Sequence, residues 1–582
     1  MPETRRFSFP LALLLLLLTL WGGWFIYRTS FVVEGRRYFC LFDDAMISMT
    51  YARNLVEGHG LNWARWGEPV EGFTHPLWVL LMVPVNALPV PLPDRSLLIQ
   101  ILSLLTLAGT VVAVRRLVLD HFSAPNARYW MPAAVLTAFY YPLAYWTLLG
   151  METGLQALLA VAVVHLSLSA VHAGRDRHLP LWLVCTAAFL LRMDMLPLVV
   201  AVQLYLLLRG GLRPAGRTSW LAGLAIFCGA SLAYALFRWF YFHDVLPNTY
   251  YLKLTGVALT VRLLRGISTF TAFLREHLLF VLPVGLGAGV LTRRNPRLLL
   301  PAVVFALYCA YSVYTGGDAW DGDLRVRSNR FIAAFMPLLF VLFNGVLNAA
   351  LSAWREGEEG GAESLRRFVA AGATAVSLLL LNGLWLSGRA DDYWRDFTLT
   401  TRPAMTERHP RVLSQVRALE KYLRPGALVA TVWAGIPAYF SDFRMIDILG
   451  YNDRVTARLP TAFHIHETEF RLFRPGHVKW DTQRLLRQRP DAFLQFWGMG
   501  ERGMGQVRAV LPSLGYEKMG RFWIRSDSAY LHAAAPATLS TAPSRRGNRN
   551  NASRKRPPRA LPGRRSGQSP PSSPSLTPSA PG

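Results

Sequence analysis

Residues 9–27 read FPLALLLLLLTLWGGWFIY, nineteen positions without a charge. A helix of about 20 apolar residues crosses the hydrocarbon of a bilayer. In hydrocarbon a helix is the one single-segment structure that satisfies its own backbone polar groups. Arg5 and Arg6 precede the stretch, as they would in a secretory signal, but no A-x-A cleavage pattern follows and more apolar runs come later. The stretch is therefore expected to stay as a first membrane helix.

Working outward, apolar runs recur near 75–92, 97–114, 130–149, 153–172, 179–191, 195–208, 219–241, 277–291, 298–315, 331–350 and 368–386. The whole chain of 582 residues is 52% hydrophobic and only 17% charged, against about 25% charged in soluble domains. The expected fold class is an α-helical polytopic membrane protein of about 11–12 apolar helices, with a small C-terminal extracytoplasmic α/β or α+β domain. Residues 1–386 form the membrane domain, with 28–74 as its first outer loop; 387–530 form the soluble domain. There, strand-like runs such as Ala427–Val432 and Met445–Leu449 alternate with helix-permissive segments such as Arg411–Leu423.

The net charge of +26 does not indicate nucleic-acid binding. Residues 541–582 hold nine Arg or Lys and no acid, set among Pro, Ser and Gly, so 531–582 reads as a disordered basic tail. Much of the remaining positive charge lies between apolar runs, at 115–128, 173–178, 209–217, 292–297 and 351–367. The positive-inside rule makes these loops cytoplasmic. That places 28–74, 150–152, 192–194, 242–276, 316–330 and everything after 387 outside. An odd number of crossings must then separate 28–74 from 115–128, yet two apolar runs lie between them. Run 75–92 carries Pro76, Pro84, Pro89 and Pro91, each of which lacks a backbone donor, so it is expected to be interfacial or re-entrant. Runs 179–191 and 195–208 read as two short helices meeting at Arg192 and Asp194. Cys40, Cys185, Cys228 and Cys309 have neither metal-ligand nor CxxC spacing and read as packing residues.

Acids at the mouth of apolar helices are costly and hence informative. In the first outer loop Asp43 and Asp44 lie between Phe42 and Met46. Mutual repulsion and desolvation raise one pKa of such a pair, which suits a general base or a metal ligand; the blander reading, favoured on the residues alone, is a helix N-cap, where Asp is preferred and after which a helical stretch follows. The loop continues through Glu68, Glu71, His75 and Trp78. Carboxylates bind sugar hydroxyls and indoles stack on sugar faces, while an interfacial Trp and a His-Pro helix start explain the same residues without a ligand. Glu152 is a lone carboxylate between two spans. The segment 244–253 ends in Lys253, and Asp318 leads through Asp321, Asp323, Arg325 and Arg327 to Arg330. Basic residues at an outer membrane face suit a lipid-linked phosphate, or simply snorkel to headgroups. On the inferred topology all of these motifs share one face.

In order along the chain stand FDDAMI (42–47), YARNLVEGHGLNW (51–63), GEPVEGFTHPLW (67–78), LLGMET (148–153), LPNTYYLK (246–253), GGD (316–318), RF (330–331), PGHVKWD (475–481) and RQRPD (487–491). Over roughly residues 10–530 this order resembles a family of bacterial GT-C fold membrane glycosyltransferases. The family includes the mycobacterial terminal β-(1→2)-arabinofuranosyltransferase and is more distantly similar to aminoarabinose transferases and protein O-mannosyltransferases. The resemblance implies a GT-C-like membrane domain and inverting transfer of a sugar from a polyprenyl-phosphate donor. The acceptor would be a hydroxyl of an envelope glycan, glycolipid or protein, outside a bacterial inner membrane. It implies a base at Asp43 or Asp44, with Asp43 favoured, and an orienting role for Glu152. Glu71, Lys253, Asp318 and Arg330 become donor or phosphate contacts. No obligate cofactor follows; a divalent cation on Asp43, Asp44 and Glu152 stays open, with metal independence expected. The chain departs from the pattern at Met46, at Arg192-Met193-Asp194 and at Asp321–Asp323, which bears on sugar specificity. A flippase for lipid-linked saccharide and a non-catalytic envelope scaffold are the competing classes.

Overall fold

The computed structural model describes residues 8–532 apart from 123–128, 173–175, 212–213, 322–328, 354–361, 383–389, 497–504 and 506. Asp323, Arg325, Arg327, parts of several basic loops and nearly all of the basic tail lie outside the described residues. Among the described residues, six helices are long and apolar enough to cross a membrane, and four shorter apolar helices accompany them. The chain is a multi-pass membrane protein.

The first long helix, α1 (Phe9–Thr29), runs into a two-stranded antiparallel ribbon, β1 (Phe31–Val33) and β2 (Arg36–Tyr38). Next comes α2 (Asp43–Val56), whose residues from Ala45 to Asn54 are all buried. A helix wrapped on every side has been taken into the protein rather than laid on a surface. The following helix, α3 (Pro76–Ala87), has twelve residues with Pro84 inside. At 1.5 Å per residue it spans about 18 Å, too little to cross roughly 30 Å of hydrocarbon. Helix α4 (Leu92–His121), by contrast, is long and apolar enough for a full crossing.

The apolar run at 130–149 divides at Tyr140 into α5 (Met131–Phe139) and α6 (Tyr141–Leu148), since Pro142 opens a second helix. Helix α7 (Thr153–His172) follows, and α8 (His178–Leu191) and α9 (Leu196–Leu208) meet through a short turn at 193–195. After α10 (Arg217–Phe237) a π-helical turn carries the chain to Phe242, and His243 stops it in the left-handed region at φ 52°.

Beyond α11 (Asn248–Leu254), the helix α12 (Leu259–Arg294) corrects one boundary. Hydropathy ends the outer loop at 276, but the helix already begins at Leu259. Its first half carries Arg262, Arg265, Arg275 and Glu276, which dilute hydropathy without breaking helical periodicity. Helices α13 (Leu299–Thr315), α14 (Arg330–Ala333), α15 (Met336–Ala353), α16 (Ala362–Leu381) and α17 (Ala390–Phe397) complete this part. The packing runs α4 on α7, α7 on α8, α8 on α10, and α12 on both α13 and α15. Exposed Leu221, Ile226, Leu232 and Leu236 on α10, with Leu282, Leu286 and Val290 on α12, form the apolar outer surface that lipid requires. Cys228 is exposed on α10, whereas Cys40, Cys185 and Cys309 are buried.

After α18 (His409–Glu420) come β3 (Leu428–Thr431), α19 (Ile436–Phe440), β4 (Arg444–Asp447), α20 (Arg454–Arg458), β5 (Ala492–Phe493), β6 (Tyr516–Met519) and β7 (Phe522–Arg525). They form a five-stranded sheet ordered β4-β3-β5-β7-β6, parallel on the β4-β3-β5 side and antiparallel through β7 and β6. Its core is shared with the first loop. Ile47, Tyr51, Trp63 and Phe73 join one apolar cluster with Val416, Leu419, Val429 and Met445.

Candidate functional site

The acid pair opens α2, where the helix dipole favours negative charge. Its position is fixed by Phe42: the Phe42 N–H donates to the Leu149 carbonyl (2.9 Å), and the ring meets Trp146 and Trp320 edge-to-face. The two carboxylates then diverge. Asp43 Oδ1 accepts the backbone N–H groups of Gly435 (3.2 Å) and Ile436 (2.9 Å). Burial pushes Asp43 up to about 7, with Asp44 adding to the rise and the Ile436 N–H opposing it. Asp44 Oδ2 instead accepts from Arg330 Nη1 at 3.1 Å.

Asp44 faces a cavity of about 300 Å³ built from every outer segment of the sequence reading. Its wall takes in parts of 44–48, 72–75, 151–152, 192–194, 246–254, 315–319 and 330–331, and Tyr451 and Pro475 close it. Of the nine candidate residues, six line it: Asp44, His75, Glu152, Lys253, Asp318 and Arg330.

Two ion-pair systems hold the cavity's charges. Arg330 lies between Asp44 and Asp318, with Nε 3.1 Å from Asp318 Oδ2. Arg192 grips Asp194 with Nε (2.8 Å) and Nη2 (2.5 Å), and its Nη1 donates to Glu152. Glu152 is fully buried; burial raises its pKa, but His75, Arg192 and Arg330 outweigh that and hold it at about 2. Burial keeps His75 below its ordinary value; its Nε2 pairs with Ser48 Oγ at 2.6 Å and its Nδ1 lies 3.5 Å from Glu152. Lys253 differs from both arginines. Among the described residues no carboxylate lies within ion-pair distance of its Nζ, which stands 5.3 Å from the Tyr451 ring centre. Burial, reinforced by Arg330, brings Lys253 down to about 8.

A second, smaller cavity of about 30 Å³ adjoins the first. Asp44, Ile47 and Tyr451 line both, while Asp43, Trp320, Trp433 and His477 line only the small one. Asp43 thus serves the small cavity and Asp44 both.

Glu71 and Trp78, expected to touch substrate, line neither cavity. Glu71 accepts from Tyr234 (2.5 Å) and Arg238 (2.6 Å) of the α10 region, so its charge is used to anchor the first loop there. Trp78 is buried and gives its indole N–H to the Gly150 carbonyl at 2.9 Å. Arg192 and Asp194 enter the site, although the sequence marks them only as a junction of short helices and a departure from the family pattern. Their signal was present: an Arg and an Asp between two apolar runs must find partners. Tyr451 and Trp433 gave no such signal, being ordinary residues of a soluble segment, and His477 stood out only as part of the PGHVKWD motif.

Asp43, Asp44 and Glu152 do not gather around one point, because each is turned to different donors. Among the described residues no group of three or more His, Cys, Asp or Glu is arranged to hold a metal ion.

Residues 403–539 match a family described as a domain of unknown function (DUF8728). No curated protein matches the chain. Among solved structures, apo ArnT from Cupriavidus metallidurans is similar at 13% identity and TM-score 0.49, over 88% of this chain and 96% of that one. ArnT from the same organism bound to undecaprenyl phosphate is similar at 13% identity and TM-score 0.48, over 89% and 98%.

Proposed function

We propose that the protein is a membrane glycosyltransferase. It moves a sugar from a polyprenyl-phosphate donor to a hydroxyl of a cell-envelope glycan or glycolipid, at the outer face of a bacterial inner membrane. The observation that carries this reading is Lys253: a half-buried cation without a carboxylate partner among the described residues, facing a mainly apolar cavity that also holds Asp44 and Arg330. Such a cation suits a phosphate, and apolar walls such as Ile47, Phe73, Leu246 and Phe331 suit the lipid attached to it.

In this reading the donor phosphate rests against Lys253, with Arg330 held close by Asp44 and Asp318. The acceptor hydroxyl comes from the small cavity, where ionised Asp43 takes its proton. The acceptor oxygen bonds to the anomeric carbon as the bond from that carbon to the phosphate oxygen breaks, inverting the centre. Polyprenyl phosphate departs, and Lys253 stabilises the charge growing on it. Asp43 is matched to this work because a general base acts best with a pKa near the working pH. Glu152, fixed by Arg192 and His75, orients sugar hydroxyls. The site groups gather at one end of the bundle rather than along a path through it, which favours transfer over transport.

The test is turnover by purified protein in nanodiscs given polyprenyl-phosphate pentoses and hexoses. Release of polyprenyl phosphate by wild type, and a loss of about 10²–10³ in Lys253→Ala, is expected. A wild type that neither binds nor turns over any such donor sinks the proposal.

A further inference from the structure

A transferase needs a place for its second substrate, and the small cavity supplies one. Seven of its eleven lining residues come from 403–539, the segment described only as a domain of unknown function. Their chemistry is that of a saccharide site. Trp433 is half-buried and presents an indole at the cavity wall. Trp320 is buried with its indole N–H unpartnered. His477 stands edge-on to both Trp320 (5.5 Å) and Tyr451 (6.0 Å); with Nδ1 donating to the Pro475 carbonyl at 3.2 Å, its Nε2 is left as an acceptor. Aromatic faces, an orphaned donor, a ring-nitrogen acceptor and a carboxylate are what a sugar's apolar face and hydroxyls pair with.

Resting on the transferase reading, we infer that residues 403–539 are the acceptor-recognition part of the enzyme. Trp433, Tyr451 and His477, together with Trp320, form a subsite for the terminal saccharide of a glycan acceptor. The size of the cavity adds a constraint. About 30 Å³ takes one water-sized group, so one hydroxyl or hydroxymethyl arm enters while the ring stays at the mouth against Trp433. Asp43 lines the same space and meets that hydroxyl. The backbone N–H groups that fix Asp43, those of Gly435 and Ile436, belong to this same segment. Recognition of the acceptor and placement of the base are thus one structural unit.

The experiment uses the full-length protein in nanodiscs and a panel of methyl pentofuranosides and methyl hexopyranosides as probes. Binding is titrated by saturation-transfer difference NMR, and polyprenyl phosphate binding is measured in parallel. At least one glycoside is expected to bind wild type. Its affinity should fall about ten-fold or more in Trp433→Ala and be largely kept in Trp433→Phe, with polyprenyl phosphate binding within two-fold of wild type in both. The inference is overturned if no glycoside binds wild type, if Trp433→Ala binds it as wild type does, or if Trp433→Ala loses polyprenyl phosphate instead. Failure of the transferase reading looks different: wild type would bind no polyprenyl phosphate, or Lys253→Ala would bind it as tightly as wild type does, whatever the glycosides do.

Discussion

The Ile436 N–H donates to Asp43 Oδ1 at 2.9 Å across 393 positions of sequence. The carboxylate proposed as base is therefore positioned by the sheet region as much as by its own helix. Gly435 makes the approach feasible: a Cβ there would stand 2.0 Å from the Asp43 carbonyl oxygen.

Gly435→Ala is expected to push the start of α2 away from the sheet region. The added methyl meets backbone rather than a flexible side chain, so overpacking should cost about 1–3 kcal/mol. Thermal unfolding should show the loss, and turnover should fall further than the stability change alone explains.

Much of the fold was legible because hydrocarbon imposes one rule on long apolar runs. The first helix, the short proline-bearing α3 and the meeting of α8 and α9 at Arg192 and Asp194 all follow from it. The YARNLVEGHGLNW motif was legible only as a motif. In the structure Arg53 donates to the Tyr439 carbonyl (2.6 Å) and pairs with Asp442 (2.8 Å), and Trp63 donates to the Ala434 carbonyl (2.8 Å). These residues fasten the first loop to the sheet region, and sequence spacing carries no record of partners nearly four hundred positions away. Glu71 misleads for the same reason, since its partner Arg238 lies in a distant apolar run.

Trp78→Phe separates stacking on sugar from structural support. It removes the 2.9 Å hydrogen bond to Gly150 and keeps an aromatic ring there, though a smaller one. The expected cost is about 1–3 kcal/mol of stability, from leaving a buried carbonyl unpaired. The donor KM should stay within a few-fold of wild type in steady-state assays; a large rise would return Trp78 to the binding site.

The rate should be bell-shaped in pH. Asp43 acts ionised, and burial has raised it to about 7, so kcat/KM rises as pH passes through that value. Lys253 acts charged, and burial has lowered it to about 8, so kcat/KM falls above that. Asp43→Asn should remove the acid limb from residual activity, and Lys253→Ala the alkaline one.

Stability should move the other way at Asp43. A carboxyl raised above its unfolded value binds protons more tightly in the native state, so stability declines as pH climbs from the ordinary carboxylate range to about 7. Above that range Asp43→Asn, which keeps an oxygen for Gly435 and Ile436, should unfold at a higher temperature than wild type. Scanning calorimetry at pH 8 checks the sign.

The most direct measurement is the single-turnover rate of sugar transfer from a saturating polyprenyl-phosphate donor in nanodiscs, comparing wild type with Asp43→Asn. Loss of a general base predicts a chemical step slower by about 10²–10⁴ with donor affinity nearly unchanged. An Asp43→Asn enzyme that transfers sugar as fast as wild type would contradict the account.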